Sequence, residues 1–272
     1  MNRTVIYYPN DFYKLSTSEF CKKPGLDCLH LPISNCTFTQ EEIDSDPERF
    51  NKRKMKCWDF YFSYPESVVP IIKKTATPKS MYYLYWRFQA VSFIVRLNKN
   101  MKNLVEKFIK NNLVNPKEKY DVSLLIRLGD KKKEMHLIEE NDFVYPLEIL
   151  SILLGRKLSV FVSSDAQSQI IYFIHLNNSK FDFSYLNYTR HLNGFSMKKE
   201  KNAYDNAIQS YSEMFEAIKG NYIIGTLRSQ FHKQILGFRL QNYNEMDLPF
   251  FEVGDTRCIT VNQCKFHRKP LR

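Results

Sequence analysis

Val122-Ser123-Leu124-Leu125-Ile126 is a short run in which apolar residues follow one another without alternation. A strand with one wet face alternates in polarity, so this run reads as a strand buried on both faces. Leu158-Ser159-Val160-Phe161-Val162 has the same character, and Asn221-Tyr222-Ile223-Ile224-Gly225 is a further strand of this kind. Phe181 to Tyr185 reads as another. Between these runs lie helical patterns. Tyr145 to Leu154 and Gln167 to Leu176 are apolar helix candidates, and Ser229 to Leu236 follows the Asn221 strand directly. Ala203 to Lys219 puts Ile208, Tyr211, Phe215 and Ile218 on one face, and Gly220 stands where a helix C-terminus favours glycine. Strand and helix in alternation predict a parallel α/β domain. Such sheets bind ligands at the carboxyl ends of their strands.

The sequence before this region has another rhythm. Residues 9–57 are rich in turn formers, among them Pro24-Gly25, Pro32 and Asp44-Ser45-Asp46-Pro47, and read as short strands joined by loops. Tyr82 to Leu97 is apolar almost all round and predicts a buried helix. Asn100 to Asn112 carries Met101, Leu104, Val105, Phe108 and Ile109 as a stripe, with lysines opposite. Asn115-Pro116 breaks that pattern and reads as a domain joint. No internal repeat is present.

Composition sets outer bounds. The 272 residues carry 40 Lys and Arg against 29 Asp and Glu, a formal charge of +11. Hydrophobic residues make up 43%, too many for a wholly disordered chain, and 8 glycines exclude collagen-like repeats. Mean hydropathy is −0.43, and no run of about twenty apolar residues offers a membrane span. The charge raises a nucleic-acid reading. However, Lys99, Lys102, Lys107 and Lys110 fall on a helix face, and the tail from Lys265 to Arg272 is basic. Runs such as Lys131-Lys132-Lys133 are not interleaved with aromatics, as single-strand binders require, so no nucleic-acid partner is expected. Cys21, Cys28, Cys36, Cys57, Cys258 and Cys264 are even in number and cluster toward the ends, which suggests disulfides. Their gaps are too long for zinc pairs, so no metal is expected. Four Asn-x-Ser/Thr acceptors begin at Asn2, Asn35, Asn177 and Asn187. The opening apolar run, Val5 to Tyr8, is shorter than the roughly 7–15 residues of a secretory signal, so none is expected in this stretch. The expected compartment is the Golgi or secretory lumen if a targeting segment is missing, and otherwise the cytoplasm. Asp44-Ser45-Asp46 is a D-x-D, but it precedes a proline rather than following a buried strand, and it is set aside. The six histidines show no metalloprotease or triad spacing.

The chemistry gathers at the strand ends. The first ends in Arg127-Leu128-Gly129-Asp130-Lys131, the second in Ser163-Ser164-Asp165, and the last in Thr226-Leu227-Arg228-Ser229-Gln230. A helix N-terminus with hydroxyl and amide side chains is an anion site, and a neighbouring Arg adds a bidentate phosphate ligand. Taken singly, Asp130, Asp165, Thr226 and Ser229 read equally well as helix caps or turn residues. Together they point to a phosphate-bearing ligand.

At these residues the chain resembles the α1,6-fucosyltransferases, the family of the core N-glycan enzyme and its rhizobial nodulation relatives. Leu125 to Lys131 matches that family's H-x-R-R-x-D-K strand end. Val160 to Asp165 resembles its strand ending in T-D-D, and Asn221 to Phe231 resembles its D-F-L-V-C-T-F-S-S-Q-V stretch. The three fall in family order. The resemblance implies an α/β fold of two Rossmann-like halves of the GT-B type, with an incomplete N-terminal half. It places an acceptor-side region with a helical part at 1–118, a donor-nucleotide domain at 119–240, and a tail with an SH3-like remnant at 241–272. It implies inverting, metal-independent transfer of fucose from GDP-fucose to a glycan hydroxyl, with an N-glycan as the acceptor and no cofactor required. Arg127 would bind the pyrophosphate, with Lys131 beside it and Glu134 as general base. Asp130, Asp165, Thr226, Arg228, Ser229 and Gln230 would line the nucleotide site, and Glu213 would read the guanine edge.

The departures define a rival reading. Leu125 and Leu128 replace the motif's His and second Arg, Gly225 and His232 replace two cysteines, and Arg228 replaces a Ser. A catalytically inactive glycan- or protein-binding module of the same fold is the first alternative. A basic nucleic-acid-binding α/β protein is the second.

Overall fold

The computed structural model describes residues 29–31, 69–73, 96–127, 140–189, 203–227, 229–243 and 250–253. The chain divides into two compact units, 1–101 and 102–272. The described part of the first unit is small. It contains a short helix α1 (Val69–Lys73), an isolated antiparallel bridge between His30 and Leu97, and the start of α2 (Lys99–Asn112). Leu97, expected as the last residue of a buried helix, is thus in extended pairing, and Leu31 N–H donates to Arg96 O at 2.7 Å beside it. Residues 82–95 of that expected helix, the cysteines, and the turn-rich stretch apart from residues 29–31 lie outside the described residues. Asn98 Oδ1 accepts from Met101 N–H at 2.8 Å and caps α2, as an Asn at that place does.

The second unit is built on one sheet. After α2 come β1 (Leu113–Val114), β2 (Tyr120–Ile126), α3 (Glu140–Leu154), β3 (Ser159–Ser164), α4 (Gln167–Asn177) and β4 (Asp182–Leu186). Then follow α5 (Ala203–Ala217), β5 (Gly220–Gly225), α6 (Gln230–Tyr243) and β6 (Phe250–Glu252). The strand order is β1-β4-β3-β2-β5-β6. All neighbours are parallel except β1, which caps the β4 edge antiparallel. The parallel strands therefore stand third, second, first, fourth, fifth, the doubly wound order of dinucleotide-binding sheets. The expected α/β class holds, and it follows from residue pattern. All seven residues of β2 are buried.

Helices cover both faces. On one, Val122, Leu124, Ile126, Val160, Val162 and Ile224 pack with Phe143, Leu147 and Leu150 of α3 and with Ile170 and Phe173 of α4. Each such side chain contributes roughly 1.5–3 kcal/mol on burial. On the other face α5 lies against β2 and β3, and its Tyr211 and Phe215 rings meet Phe238 of α6.

Three expectations change. Gly220 does not cap α5, which ends at Ala217; it opens β5. A Cβ there would stand 2.3 Å from Ser123 Oγ and 2.6 Å from Ser123 N, so only glycine lets β5 approach β2 this closely. Asn115 is no joint between domains. It turns with a φ of 54° and its amide donates to Asp182 Oδ1 at 2.7 Å and Phe183 O at 3.0 Å, binding the β1–β2 turn to β4. Residues 250–252, expected in a tail with an SH3-like remnant, pair with β5 as the far strand of the sheet. The sheet thus extends past residue 240. Among the described residues, no helix is long and apolar enough to cross a membrane.

The amino ends of the strands are tied by polar contacts. Asp121 at the start of β2 takes both guanidinium nitrogens of Arg156, one at 2.7 Å, and the Ser159 N–H at 2.9 Å. Burial raises the Asp121 pKa, but the bonds from Arg156 and Ser159 outweigh it and hold the carboxyl below its usual range. Tyr120 donates to Glu216 Oε2 at 2.9 Å, and Lys219 Nζ lies 2.5 Å from the other oxygen.

Candidate functional site

The strand order locates the crevice before any side chain is considered. From β2 the chain winds outward through β3 to β4, then returns to place β5 on the other side of β2. Between β2 and β5 the direction of winding reverses, and in doubly wound sheets ligands bind outside the carboxyl ends of the strands at such a switch point. Arg127 follows β2 there, and Thr226 follows β5. Asp165 follows β3, the neighbour of β2 on its other side.

Arg127 is mostly buried, with 16% of its side chain exposed, and its Nε stands 3.5 Å from Asp165 Oδ2. That distance is an ion pair rather than a good hydrogen bond. Ser164 arranges the start of the next segment. Its hydroxyl donates to Gln169 Oε1 at 2.9 Å and accepts from Ala166 N–H at 3.2 Å. The pairing of Arg127 with Asp165 unites the first two sequence motifs in one place.

The third motif forms the turn from β5 into α6. Ser229 is 1% exposed, and its Oγ accepts from His232 N–H at 3.4 Å, the geometry of an N-cap on α6. Its own N–H donates to Thr226 O at 3.1 Å. Thr226 is equally buried, and its hydroxyl donates to Glu252 Oε1 at 2.7 Å. Glu252 Oε2 accepts from Leu227 N–H at 2.6 Å. The Thr226 hydroxyl thus spends its proton within the protein, whereas Ser229 Oγ only accepts. Gln230, the first residue of α6, is exposed.

Two residues of this turn carried no sequence signal as site residues. Glu252 falls in the stretch expected as an SH3-like remnant. His232 is fully enclosed in α6, with Nδ1 3.0 Å from both the amide nitrogen and the carbonyl oxygen of Thr226. Burial pushes its pKa down to about 3, the nearby Arg127 charge pushes the same way, and the Thr226 backbone bond opposes them. The ring is neutral at physiological pH. Gly225 lies beside it. A Cβ on Gly225 would stand 3.0 Å from His232 Nδ1 and 3.1 Å from Leu125 Cβ. The two positions that hold cysteines in the fucosyltransferase motif are therefore neighbours in space, and a buried imidazole fills the place beside the glycine.

Glu213 lies on α5, three residues before Glu216, which bonds Tyr120 at the amino end of β2. Glu213 is 3% exposed and belongs to the packing of α5. Asp130, Lys131, Glu134 and Arg228 lie outside the described residues. Among the described residues, no group of three His, Cys, Asp or Glu side chains is placed to hold a metal ion.

No protein-family model matches the chain, and no curated protein does. Among solved structures it is similar to the apo form of POFUT1, at 13% identity and a TM-score of 0.38, over 62% of this chain and 50% of that one. A POFUT1 complex with GDP-fucose aligns at 14% identity and 0.35, over 57% and 46% of the two chains. A POFUT1 complex with GDP aligns at 13% and 0.37, over 78% and 62%. The chain spans about half the length of the first of these structures. The α/β architecture itself rests on the sheet order.

Proposed function

We propose that this chain is a glycosyltransferase whose donor is a guanosine-diphosphate sugar, GDP-fucose, bound at the crevice between β2 and β5. The observation that carries the reading is Arg127, mostly buried at the switch point beside Asp165 and close enough for its charge to act on His232 of α6. A guanidinium and a helix N-terminus beside one crevice make the arrangement that recognises a diphosphate. The three sequence motifs that resemble α1,6-fucosyltransferases supply the sugar and the chemistry. A glycan hydroxyl attacks the anomeric carbon of fucose with inversion as the bond to GDP breaks. A carboxylate takes the hydroxyl proton, with Glu134 in that role, and Lys131 stands beside the phosphates. Arg127 and the first amides of α6 stabilise the charge on departing GDP. The acceptor is an N-glycan, the linkage α1,6, and the compartment the secretory lumen.

Calorimetric titration with GDP and GDP-fucose tests this. Binding at millimolar nucleotide or tighter is expected, and Arg127→Ala abolishes it. Folded protein that binds neither ligand refutes the donor site. Unchanged affinity in Arg127→Ala shows the motif to be misassigned.

One observation favours a second reading, a binding module without turnover. Leu125 is buried at the position where the motif has His, and the Thr226 hydroxyl already donates to Glu252. GDP binding without release of GDP from GDP-fucose, across a panel of glycan acceptors, supports that reading. Turnover on any acceptor removes it.

A further inference from the structure

We infer that Glu252 is a positioning residue of the donor site: from the sixth strand its carboxylate orders the turn that joins β5 to α6. The inference rests on the donor reading above and adds a residue outside the three strand-end motifs. Two neighbouring donors, the Thr226 hydroxyl and the Leu227 amide, converge on the two oxygens of this one carboxylate at 2.7 and 2.6 Å. Glu252 is 6% exposed and Thr226 is 1% exposed, so water does not readily replace either bond. Backbone pairing places the carboxylate there. Gly225 is the register partner of Glu252, and Val253 N–H donates to Gly225 O at 2.9 Å.

The turn is thereby held from two sides. His232 Nδ1 meets the Thr226 backbone from α6, and Glu252 takes the Thr226 side chain and the next amide from β6. With Thr226 fixed, its carbonyl accepts from Ser229 N–H, and Ser229 in turn caps α6. The direction of the first α6 amides, which a phosphate would meet, thus depends on a residue of the last strand. A carboxylate does this better than a neutral group, because both of its oxygens accept and bonds to an ionised acceptor are the stronger kind. Glutamine in its place would turn an NH₂ toward one of the two donors.

The test is calorimetry on the full chain with GDP and with inorganic pyrophosphate, for wild type, Glu252→Gln, Thr226→Val and the double variant. Glu252→Gln is expected to weaken both ligands about tenfold or more, because two charge-assisted bonds are disturbed. Thr226→Val, which keeps the Leu227 bond, is expected to weaken them less. The double variant should be no worse than Glu252→Gln alone, because the two residues act as one unit. A faster-exchanging Leu227 amide, with binding stoichiometry still near one, separates a disordered turn from partial unfolding. If Glu252→Gln binds GDP within twofold of wild type while Arg127→Ala loses it, the role of Glu252 falls and the donor site stands. If the loss appears only as reduced stoichiometry, Glu252 merely supports folding and the inference falls. If wild type binds neither ligand, the donor reading falls and takes this inference with it.

Discussion

Lowering the pH from 7 to 5 should cost the fold about 2 kcal/mol through His232 alone. The ring is enclosed between α6 and the carboxyl end of β5, and its pKa is held at about 3 by burial, assisted by the Arg127 charge. An unfolded chain titrates His near 6.5. Between these values the unfolded state binds a proton that the folded state refuses, so stability falls as pH falls through that window. The full contribution is present above about pH 6.5. Each unit below it costs about 1.4 kcal/mol, which gives about 2 kcal/mol at pH 5 relative to pH 7. The geometry supplies the reason for refusal. A doubly protonated ring could bond only the Thr226 carbonyl, would turn an N–H against the Thr226 N–H, and would add a second positive charge near Arg127. Two carboxylates with lowered pKa values leave this window clear. Asp121, held low by Arg156 and Ser159, and Asp182, held low mainly by Lys117, withdraw their contributions only as pH falls through the acid carboxylate range. Urea denaturation at half-unit steps from pH 7 to 5 measures the slope. His232→Asn, whose amide can still meet Thr226 but does not titrate, should be less stable at pH 7 and should lose most of that slope. An equal slope in wild type and His232→Asn would refute the assignment.

Gly220→Ala should be among the most damaging small substitutions, costing about 3 kcal/mol in urea unfolding, because its Cβ would meet the Ser123 backbone nitrogen at 2.6 Å; a loss under about 0.5 kcal/mol would show that β2 and β5 can part easily. Tyr120→Phe should cost about 1–2 kcal/mol by leaving the fully buried Glu216 without its phenol donor. The wild-type phenol should also stay protonated well above the ordinary tyrosine range, since burial and then the Glu216 charge raise its pKa, and an ultraviolet titration that ionises every tyrosine near pH 10 contradicts this. Leu147→Ala, in the middle of the α3 contact with the sheet, should cost about 2–5 kcal/mol without changing GDP affinity per folded molecule.

The parallel sheet was readable because burial on both faces leaves a direct mark. Val122 to Ile126 and Leu158 to Val162 could not alternate and still fill both layers, so their apolar runs announce central strands. The edge strands leave no such mark. Leu113–Val114 is too short to show a period, and Phe250–Glu252 carries a carboxylate whose partner lies a whole helix away in sequence. Gly220 was legible as a special glycine but for the wrong reason, since a helix cap and a close strand approach ask for the same missing Cβ. At the site, the strand-end positions of Arg127, Asp165 and Thr226 followed from counting out the strands. What those side chains meet did not, because partners such as Arg127 with Asp165 and Thr226 with Glu252 come from register and crossover, which short motifs do not encode.

The same partners decide between a transferase and a silent relative. A diphosphate in this crevice cannot use the Thr226 hydroxyl while Glu252 holds its proton, whereas the Ser229 hydroxyl only accepts in capping α6 and keeps its O–H to donate. The phosphate charge then falls on Arg127, Ser229 and backbone amides. Arg127 already shares its Nε edge with Asp165 at 3.5 Å, so a ligand must compete with that carboxylate or take the other edge of the guanidinium fork. Asp165→Asn separates these cases. If the ligand competes, removing the carboxylate charge should tighten pyrophosphate binding several-fold. If Asp165 instead holds the fork in position for a ligand on its far edge, the same change should weaken binding. An active transferase needs the second arrangement, because only a guanidinium already oriented lowers the barrier as GDP departs. Tighter pyrophosphate binding in Asp165→Asn would therefore count against catalysis at this site even if GDP binds.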